Sequence, residues 1–506
     1  MTSNITFSWV AAIAPEICLL ILLVIVLAYD RFLKPEERRK VGLLTAWGAF
    51  VTLLITGSLW YFWGQPDVNA SLTESLVWGN MLRFDMVSLG FSIMFLIALM
   101  ITSLVSMDVP RLQRSEYYTL LITATIGFCL MAAGADLIMI YVALETASIS
   151  SYVLAGFFTG SKRSSEAGMK YFVYGAFATG IMLYGMSLLY GVTGQTNIYA
   201  IGQIFARGEL IEGIGALVLV AAMMVIVGFG FKISAVPFHF WTPDVYEGAP
   251  TPFTGFVSTA SKAAGFAVFL RVFTAGDFGN LASYGSDTAS PGWLVWVILV
   301  TLCIITMTLG NLAAIYQKNI KRMLAYSSIA QAGYALVGLV TFSQDGSGAV
   351  MFYLFMYLFT NIAAFGVIML VSNVTGAETM KDYNGLSRRS PYLALVMMFA
   401  MLSLGGIPPT AGFFGKFFLF RSAVDSGLWW LALIGVLNAF VALYYYLGII
   451  KHMYLYRTDD EEVSIPVSRA AMIGLAVTTI FIFYLGIFAG PAFEWTRTAA
   501  AAFFPG

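Results

Sequence analysis

The sequence predicts an all-α polytopic membrane protein of about 14 transmembrane helices, arranged as two inverted five-helix repeats with two discontinuous helices. Three observations predict it: apolar runs of membrane-crossing length from end to end, a one-sided distribution of lysine and arginine, and prolines that interrupt two of the runs close to lysines. Hydrophobic residues make up 59% of the chain and charged residues 11%, against roughly 25% charged in soluble domains. Such a chain lacks the polar surface to face water on all sides, so the lipid bilayer is its expected solvent. Its formal net charge is zero, which gives no footing to nucleic acid as a partner.

Apolar runs between polar breaks fall near 9–29, 41–63, 84–106, 117–134, 136–158, 168–192, 214–236, 255–274, 292–315, 322–341, 348–373, 391–422, 429–456 and 467–488. Each of them can cross a hydrocarbon layer roughly 30 Å thick. The first run has neither a basic leader nor a small-residue cleavage site, and reads as a retained helix. The basic residues test this division independently. Arg31, Lys34, Arg38, Arg39, Lys40, Arg111, Arg114, Lys162, Arg163, Lys170, Lys318, Lys321, Arg322, Lys381, Arg388, Arg389, Lys451, Arg457 and Arg469 fall in loops of one side. Only Arg83, Arg207 and Arg497 fall on the other. Nineteen against three is a strong positive-inside bias, and it puts both termini on the non-cytoplasmic side of a cell inner (plasma) membrane. A miscount of helices in the middle of the chain would have scrambled it.

Five basic residues remain inside the runs. Arg271 and Arg421 lie near helix ends, where they are expected to snorkel to the interface. Lys232, Lys262 and Lys416 lie deeper. A charge at that depth costs at least about 2.5–3.5 kcal/mol, which makes each a functional candidate. Two of them sit at breaks. Pro237 has no N–H for the carbonyl of Ile233, and this places Lys232 at the negative end of a half-helix. Pro408 and Pro409 break the twelfth run about two turns before Lys416. Non-helical backbone at membrane depth is tolerated only inside protein or along a water-filled cavity, and transporters place ion sites at such breaks. The plainer alternative is a packing kink.

Glu145 sits mid-helix with Tyr141, Ser148 and Tyr152 on its face. A buried carboxylate stays ionised beside a lysine, so Glu145 and Lys232 are expected to form a pair whose charge state depends on their separation. A static ion pair is the alternative. His239, just past the Pro237 break, is suited to passing protons near neutral pH, although a structural histidine fits the same position. Glu166 and Lys170, four apart at a helix entrance, read first as a surface ion pair. Tyr326, Ser327, Ser328 and Gln331 make the tenth run polar. Cys18, Cys129 and Cys303 lie scattered in apolar segments without CxxC spacing, which argues against disulfides or an iron–sulfur site. No Gly-rich phosphate loop follows a strand, and no redox cofactor is expected in this chain.

The order of the runs suggests four units: an N-terminal three-helix segment (1–110), a first repeat (117–274), a second repeat (292–456), and a C-terminal loop and helix (457–506). Five spans per repeat force the second repeat upside down relative to the first, with the broken helix fourth in each and Lys262 between the halves.

Three stretches then carry a family resemblance. Phe238-His-Phe-Trp-Thr-Pro-Asp-Val-Tyr-Glu-Gly-Ala-Pro-Thr-Pro252 followed by Ala260-Ser-Lys262, Asn319-Ile-Lys-Arg-Met-Leu-Ala-Tyr-Ser-Ser328, and Leu404-Gly-Gly-Ile-Pro-Pro-Thr-Ala-Gly-Phe-Phe-Gly-Lys416 closely resemble the antiporter-like N subunits of respiratory complex I, the proton-translocating NADH:quinone oxidoreductase. The resemblance implies a proton-translocating subunit of the membrane arm, beside M-, K- and J-type neighbours. Its driving force would come from quinone reduction in other subunits, which would also hold the FMN and iron–sulfur clusters. By the same resemblance Glu145 and Lys232 match the coupling pair, Lys262 the central relay and Lys416 the exit residue, while Glu166 and Lys170 match a charged pair that influences activity. Some relatives have histidine where Gln331 stands, so any relay at that position must here use water or amide hydrogen bonds. A stand-alone Mrp-type cation/proton antiporter would need the same lysines, and a purely structural membrane spacer is the third alternative.

Overall fold

The computed structural model describes residues 7–63, 75–207, 215–276, 291–457 and 464–504. Every expected run is helical. In chain order these are α1 (Ala14–Asp30), α2 (Arg39–Trp63), α3 (Met86–Ser106), α4 (Ser115–Ala133), α5 (Leu137–Ala155), α6 (Lys162–Thr193) and α7 (Gly215–Ile233). A short α8 (Trp241–Gly248) follows the first break, then α9 (Thr251–Ala275), α10 (Pro291–Ile315), α11 (Ile320–Leu339) and α12 (Gln344–Thr375). The twelfth run splits into α13 (Pro391–Gly405) and α14 (Ala411–Asp425), and α15 (Trp429–Leu455) and α16 (Arg469–Ile487) complete the series.

Among the described residues, eleven helices are long and apolar enough to cross a membrane. The other three expected crossings are the 17-residue α1, the polar α11 and the split α13–α14. The structure adds helices Phe7–Ala12, Ile198–Ala206 and Ala489–Ala500, and a hairpin of β1 (Leu76–Val77) with β2 (Leu82–Arg83). Hydropathy does not reveal these, because each is shorter than a crossing.

Several helix starts are closed by side chains that take up otherwise unpaired N–H groups. Asp85, Asp136, Ser161, Asn319 and Ser343 accept backbone N–H groups at the starts of α3, α5, α6, α11 and α12. Gly194 and Gly376, in left-handed backbone, terminate α6 and α12. The core is built on α9 and α12, buried along nearly their whole lengths. α12 touches α11, α13, α14 and α16. The outer helices turn Trp47, Phe177, Leu437 and Phe440 outward, as a bilayer allows.

Loops expected on a common side meet in space. Lys170 Nζ lies 2.7 Å from Glu166 and 2.6 Å from Asp244. Arg322 reaches Asp244 at 2.6 Å and Glu247 at 3.1 Å, and Arg163 pairs with Glu378 at 2.7 Å. Asp108 binds Arg39 at 2.7 Å and Ser468 at 2.5 Å on the same face. The Glu166–Lys170 pair is thus one arm of a five-residue network centred on Asp244, a residue the sequence reading passed over.

The opposite face holds a correction. Arg271 does not snorkel; it is fully buried. Its guanidinium grips Asp85 through two bonds of 2.7 and 3.0 Å and donates to the Tyr199 hydroxyl at 2.9 Å and the Ala132 carbonyl at 3.0 Å. Arg83 joins at 3.4 Å from Asp85 and donates to Tyr199 and the Ala502 carbonyl, each at 2.8 Å. The cap of α3 supplies a carboxylate at the depth of Arg271, and a two-pronged guanidinium–carboxylate contact outweighs extension to the interface. Arg421 stays exposed at its helix end, 3.5 Å from Asp425.

Two predictions follow from these clusters. Arg271→Leu leaves Asp85 only the longer Arg83 contact as a charged partner, beside its cap bond to Ser88 N–H, and is expected to cost on the order of 3 kcal/mol, read as a lower thermal midpoint of the purified protein; an unchanged midpoint refutes the assignment. At Asp244, burial favours the neutral carboxyl, but Lys170 and Arg322 outweigh it and hold the group below its usual 3.8. A carboxyl lowered on folding stabilises above its unfolded value and loses that contribution as pH falls through the folded one. Asp244→Asn should therefore lower stability at neutral pH and flatten its decline below about pH 4, measured as the unfolding midpoint against pH.

Candidate functional site

The first break shows how the chain leaves a helix inside the membrane. α7 ends at Ile233, and Ser234 adopts left-handed backbone (φ 65°). The Gly230 carbonyl takes the Ala235 N–H at 2.7 Å. The Phe231 carbonyl takes Ser234 N–H and the Trp241 indole N–H, each at 3.1 Å. Val236 N–H donates to Thr306 of α10 at 3.0 Å. Trp241 is fixed by stacking on Tyr171, with ring centroids 4.2 Å apart.

Lys232 is buried on the last turn of α7. Its ammonium donates to the Ser148 hydroxyl of α5 at 3.0 Å and lies 5.7 Å from the Phe128 ring centroid. Glu145, one turn earlier on α5, makes no ion pair with Lys232 within 4.0 Å, and its Oε1 is buried without a hydrogen-bond partner. The expected Glu145–Lys232 ion pair is not formed here; Ser148 holds the ammonium instead. Gly265 on α9 makes room for the lysine stem: a Cβ there would stand 3.2 Å from Lys232 Cγ and 2.9 Å from Ile233 Cγ2. This contact brings α7 against α9 one turn beyond Lys262.

Lys262 follows a π-helical turn, Val257–Ser261. Such turns insert one residue and loosen the helical hydrogen-bond ladder. Here Ser258 and Thr259 hydroxyls both donate to the Gly255 carbonyl at 2.8 Å, and Asn361 of α12 donates to Ser258 at 2.5 Å. The turn lies directly before the lysine, and no feature of the sequence announces it. Lys262 itself donates to the Ser328 carbonyl of α11 at 2.8 Å.

At the second break, Gly406 (φ 82°) ends α13. Lys416 folds back from α14 to donate to the exposed carbonyls of Leu404 at 2.8 Å and Gly405 at 3.2 Å. It lies 4.9 Å from the Tyr334 ring centroid. A Cβ at Gly406 would come within 3.1 Å of Lys416 Cδ, so the turn and the lysine stem both require glycine there. The negative end of a half-helix, expected to hold the Lys232 ammonium, holds Lys416 instead. Lys232 turns away because indole and backbone N–H groups already occupy its own break.

Between Lys262 and Lys416 stands Gln331 of α11. Its amide nitrogen donates to the Leu404 carbonyl at 3.3 Å and the Tyr446 hydroxyl at 3.0 Å, and its oxygen accepts from Tyr353. Tyr446 lies 2.5 Å from Ser327 Oγ, and Tyr246 lies 3.3 Å from Ser328 Oγ. The sequence pointed to Ser327, Ser328 and Gln331 but not to these tyrosines, which carry no signal in apolar helices. His239 is buried in the first break beside Phe240, with Nδ1 unpartnered. Neither it nor the Glu166–Lys170 arm is hydrogen-bonded to any of the three lysines. Among the described residues no cluster of three or more His, Cys, Asp or Glu is placed to hold a metal.

The model of the NADH:quinone oxidoreductase/Mrp antiporter membrane family matches residues 134–442, which contain every lysine of the site. The chain is 45% identical over 418 residues to NADH-quinone oxidoreductase subunit N of Moorella thermoacetica, covering 82% of this chain and 84% of the relative. A chain of respiratory complex I from Thermus thermophilus, solved with bound aureothin, superposes with a TM-score of 0.75 at 31% identity, over 95% of this chain and 98% of that one. A chain of the Mrp complex from Dietzia sp. shares the fold, with a TM-score of 0.79 at 20% identity over 99% and 98% of the two chains. The chain belongs to the NADH:quinone oxidoreductase/Mrp antiporter membrane family, on its NADH-quinone oxidoreductase subunit N branch.

Proposed function

We propose that the chain works as the antiporter-like, proton-translocating N subunit of a membrane NADH:quinone oxidoreductase. Protons pass along Glu145, Lys232, Lys262 and Lys416 with water between them, and quinone reduction in other subunits drives the movement. The observation that carries this reading is that all three lysines are buried with no carboxylate within 4.0 Å; hydroxyl and carbonyl oxygens hold them instead. A structural lysine at membrane depth would be paired, because an isolated buried charge is expensive. An unpaired one can take up and release a proton.

In this reading Glu145 gates Lys232 by approach and withdrawal, Lys262 bridges the two inverted repeats (117–274 and 292–456), and Lys416 releases toward the far side. His239 and the Glu166–Lys170 arm act secondarily. The fourteen crossings, the inner-membrane location and both termini on the non-cytoplasmic side rest on the nineteen-to-three division of basic residues. The apolar outer helices offer faces to M-, K- and J-type neighbours, and the FMN, iron–sulfur clusters and quinone chemistry belong to other subunits. A Mrp-type cation/proton antiporter is the second reading, favoured by the shared fold. It predicts sodium or potassium flux through vesicles containing this chain alone.

In vesicles carrying the whole oxidoreductase, Lys232→Ala and Lys416→Ala should each lower proton pumping per NADH oxidised by on the order of tenfold, about 1.4 kcal/mol of barrier, with assembly intact. Full pumping by both assembled variants leaves only a structural role.

A further inference from the structure

Protein groups alone cannot carry a proton from Lys262 to Lys416 in this arrangement, and the reason lies at Gln331. Lys262 ends on the Ser328 carbonyl and Lys416 on the Leu404 and Gly405 carbonyls. A carbonyl accepts hydrogen bonds but has no proton to hand on. The Leu404 carbonyl also fixes the Gln331 amide: an acceptor can face only the NH₂ end, so Nε2 points at Leu404 and Oε1 receives the Tyr353 hydroxyl. The same Nε2 donates to the Tyr446 hydroxyl, which shares a further hydrogen bond with Ser327 Oγ. Two donors, Lys416 and Gln331, converge on one carbonyl. A hydrogen-bonded chain with converging donors does not conduct, and a side-chain amide does not exchange its proton in passing as a hydroxyl or imidazole does.

We infer that Gln331 is a gating residue, a positioning group whose amide insulates Lys262 from Lys416 until it lets go of the Leu404 carbonyl. The inference rests on the proton-translocating reading above. When the amide swings away, a water fits between the Tyr446 hydroxyl, the Leu404 carbonyl and Lys416. The Lys262 ammonium turns from the Ser328 carbonyl to a second water and gives it one proton, the neutral Lys416 amine gains one from the water beside Tyr446, and the waters and tyrosine between them end as they began. Gln331 is suited to the task because it is buried, holds three partners from α12, α13 and α15, and has no charge of its own.

The test uses vesicles of the intact oxidoreductase, with assembly verified by co-purification of the other subunits. Gln331→Ala removes the amide and leaves a polar space large enough for water. It should speed the passive decay of an imposed pH gradient several-fold while NADH oxidation continues. Tyr353→Phe, which removes the partner of the amide oxygen and leaves the Tyr446 hydroxyl in place, should do the same more weakly. In the double variant Gln331→Ala/Lys416→Ala the added leak should disappear, because the leak must pass through Lys416. A tight membrane with unchanged pumping in Gln331→Ala makes Gln331 a packing residue and overturns the gate. A tight membrane with pumping lost makes it an obligatory carrier and also overturns it. A leak that survives in the double variant marks a packing defect and does so as well. The proton-translocating reading fails separately, on full pumping by Lys232→Ala and Lys416→Ala with Gln331 intact.

Discussion

A backbone carbonyl released inside a bilayer has no water to turn to, and much of this structure answers that constraint. Proline at 237 and at 408–409 opens two helices at depth. At the first break, the Trp241 indole and neighbouring N–H groups take up the Gly230 and Phe231 carbonyls. At the second, a lysine does so, and a glutamine shares one carbonyl with it. The two solutions differ in kind. An indole seals a break permanently, because it has one proton and keeps it. A lysine seals it more strongly as the ammonium than as the neutral amine, so the strength of the second seal follows the charge of Lys416.

The same constraint explains the surroundings of the lysines. Each leans on dipoles or rings: Ser148 and Phe128 around Lys232, the Ser328 carbonyl at Lys262, the Leu404 and Gly405 carbonyls and the Tyr334 ring around Lys416. Oxygen dipoles and aromatic faces support a cation without fixing it as a carboxylate would. The carboxylates that do form tight pairs are elsewhere: Asp244 with Lys170 and Arg322 at one face, Asp85 with Arg83 and Arg271 at the other. Strong pairs fasten the ends of the bundle and weak contacts hold its middle.

Much of this was legible in the sequence, for identifiable reasons. The helices were readable because twenty apolar residues in a row have few other uses, and the breaks because proline has no N–H. Lys232, Lys262 and Lys416 stood out by charge against an apolar background. The i,i+4 spacing gave the Glu166–Lys170 pair, but what pairs with what across helices was not readable, since it depends on which helices touch. Arg271 looked like a snorkelling side chain because Asp85 is 186 residues away in the chain. The Lys232 ammonium was expected at a carbonyl and went to Ser148; the π turn before Lys262 and the tyrosines around Gln331 left no trace in hydropathy. Gln331 stood out as a polar residue in a span and by the histidine some relatives have there, but the three groups it holds were not readable.

The buried clasp of Arg83, Asp85, Tyr199 and Arg271 also bears on how the molecule comes into being. It closes on the Ala502 carbonyl, 419 positions beyond Arg83, and on Ala132 within α4. Insertion into the bilayer proceeds helix by helix as the chain emerges, so for most of synthesis Arg83 waits without its last acceptor. The clasp is completed when residues near 502 arrive and bind beside β2 and α9. Until then Arg83 keeps its contacts to Asp85 and Tyr199 and lacks the Ala502 carbonyl, so the clasp ties one of the first spans to a segment more than four hundred residues later.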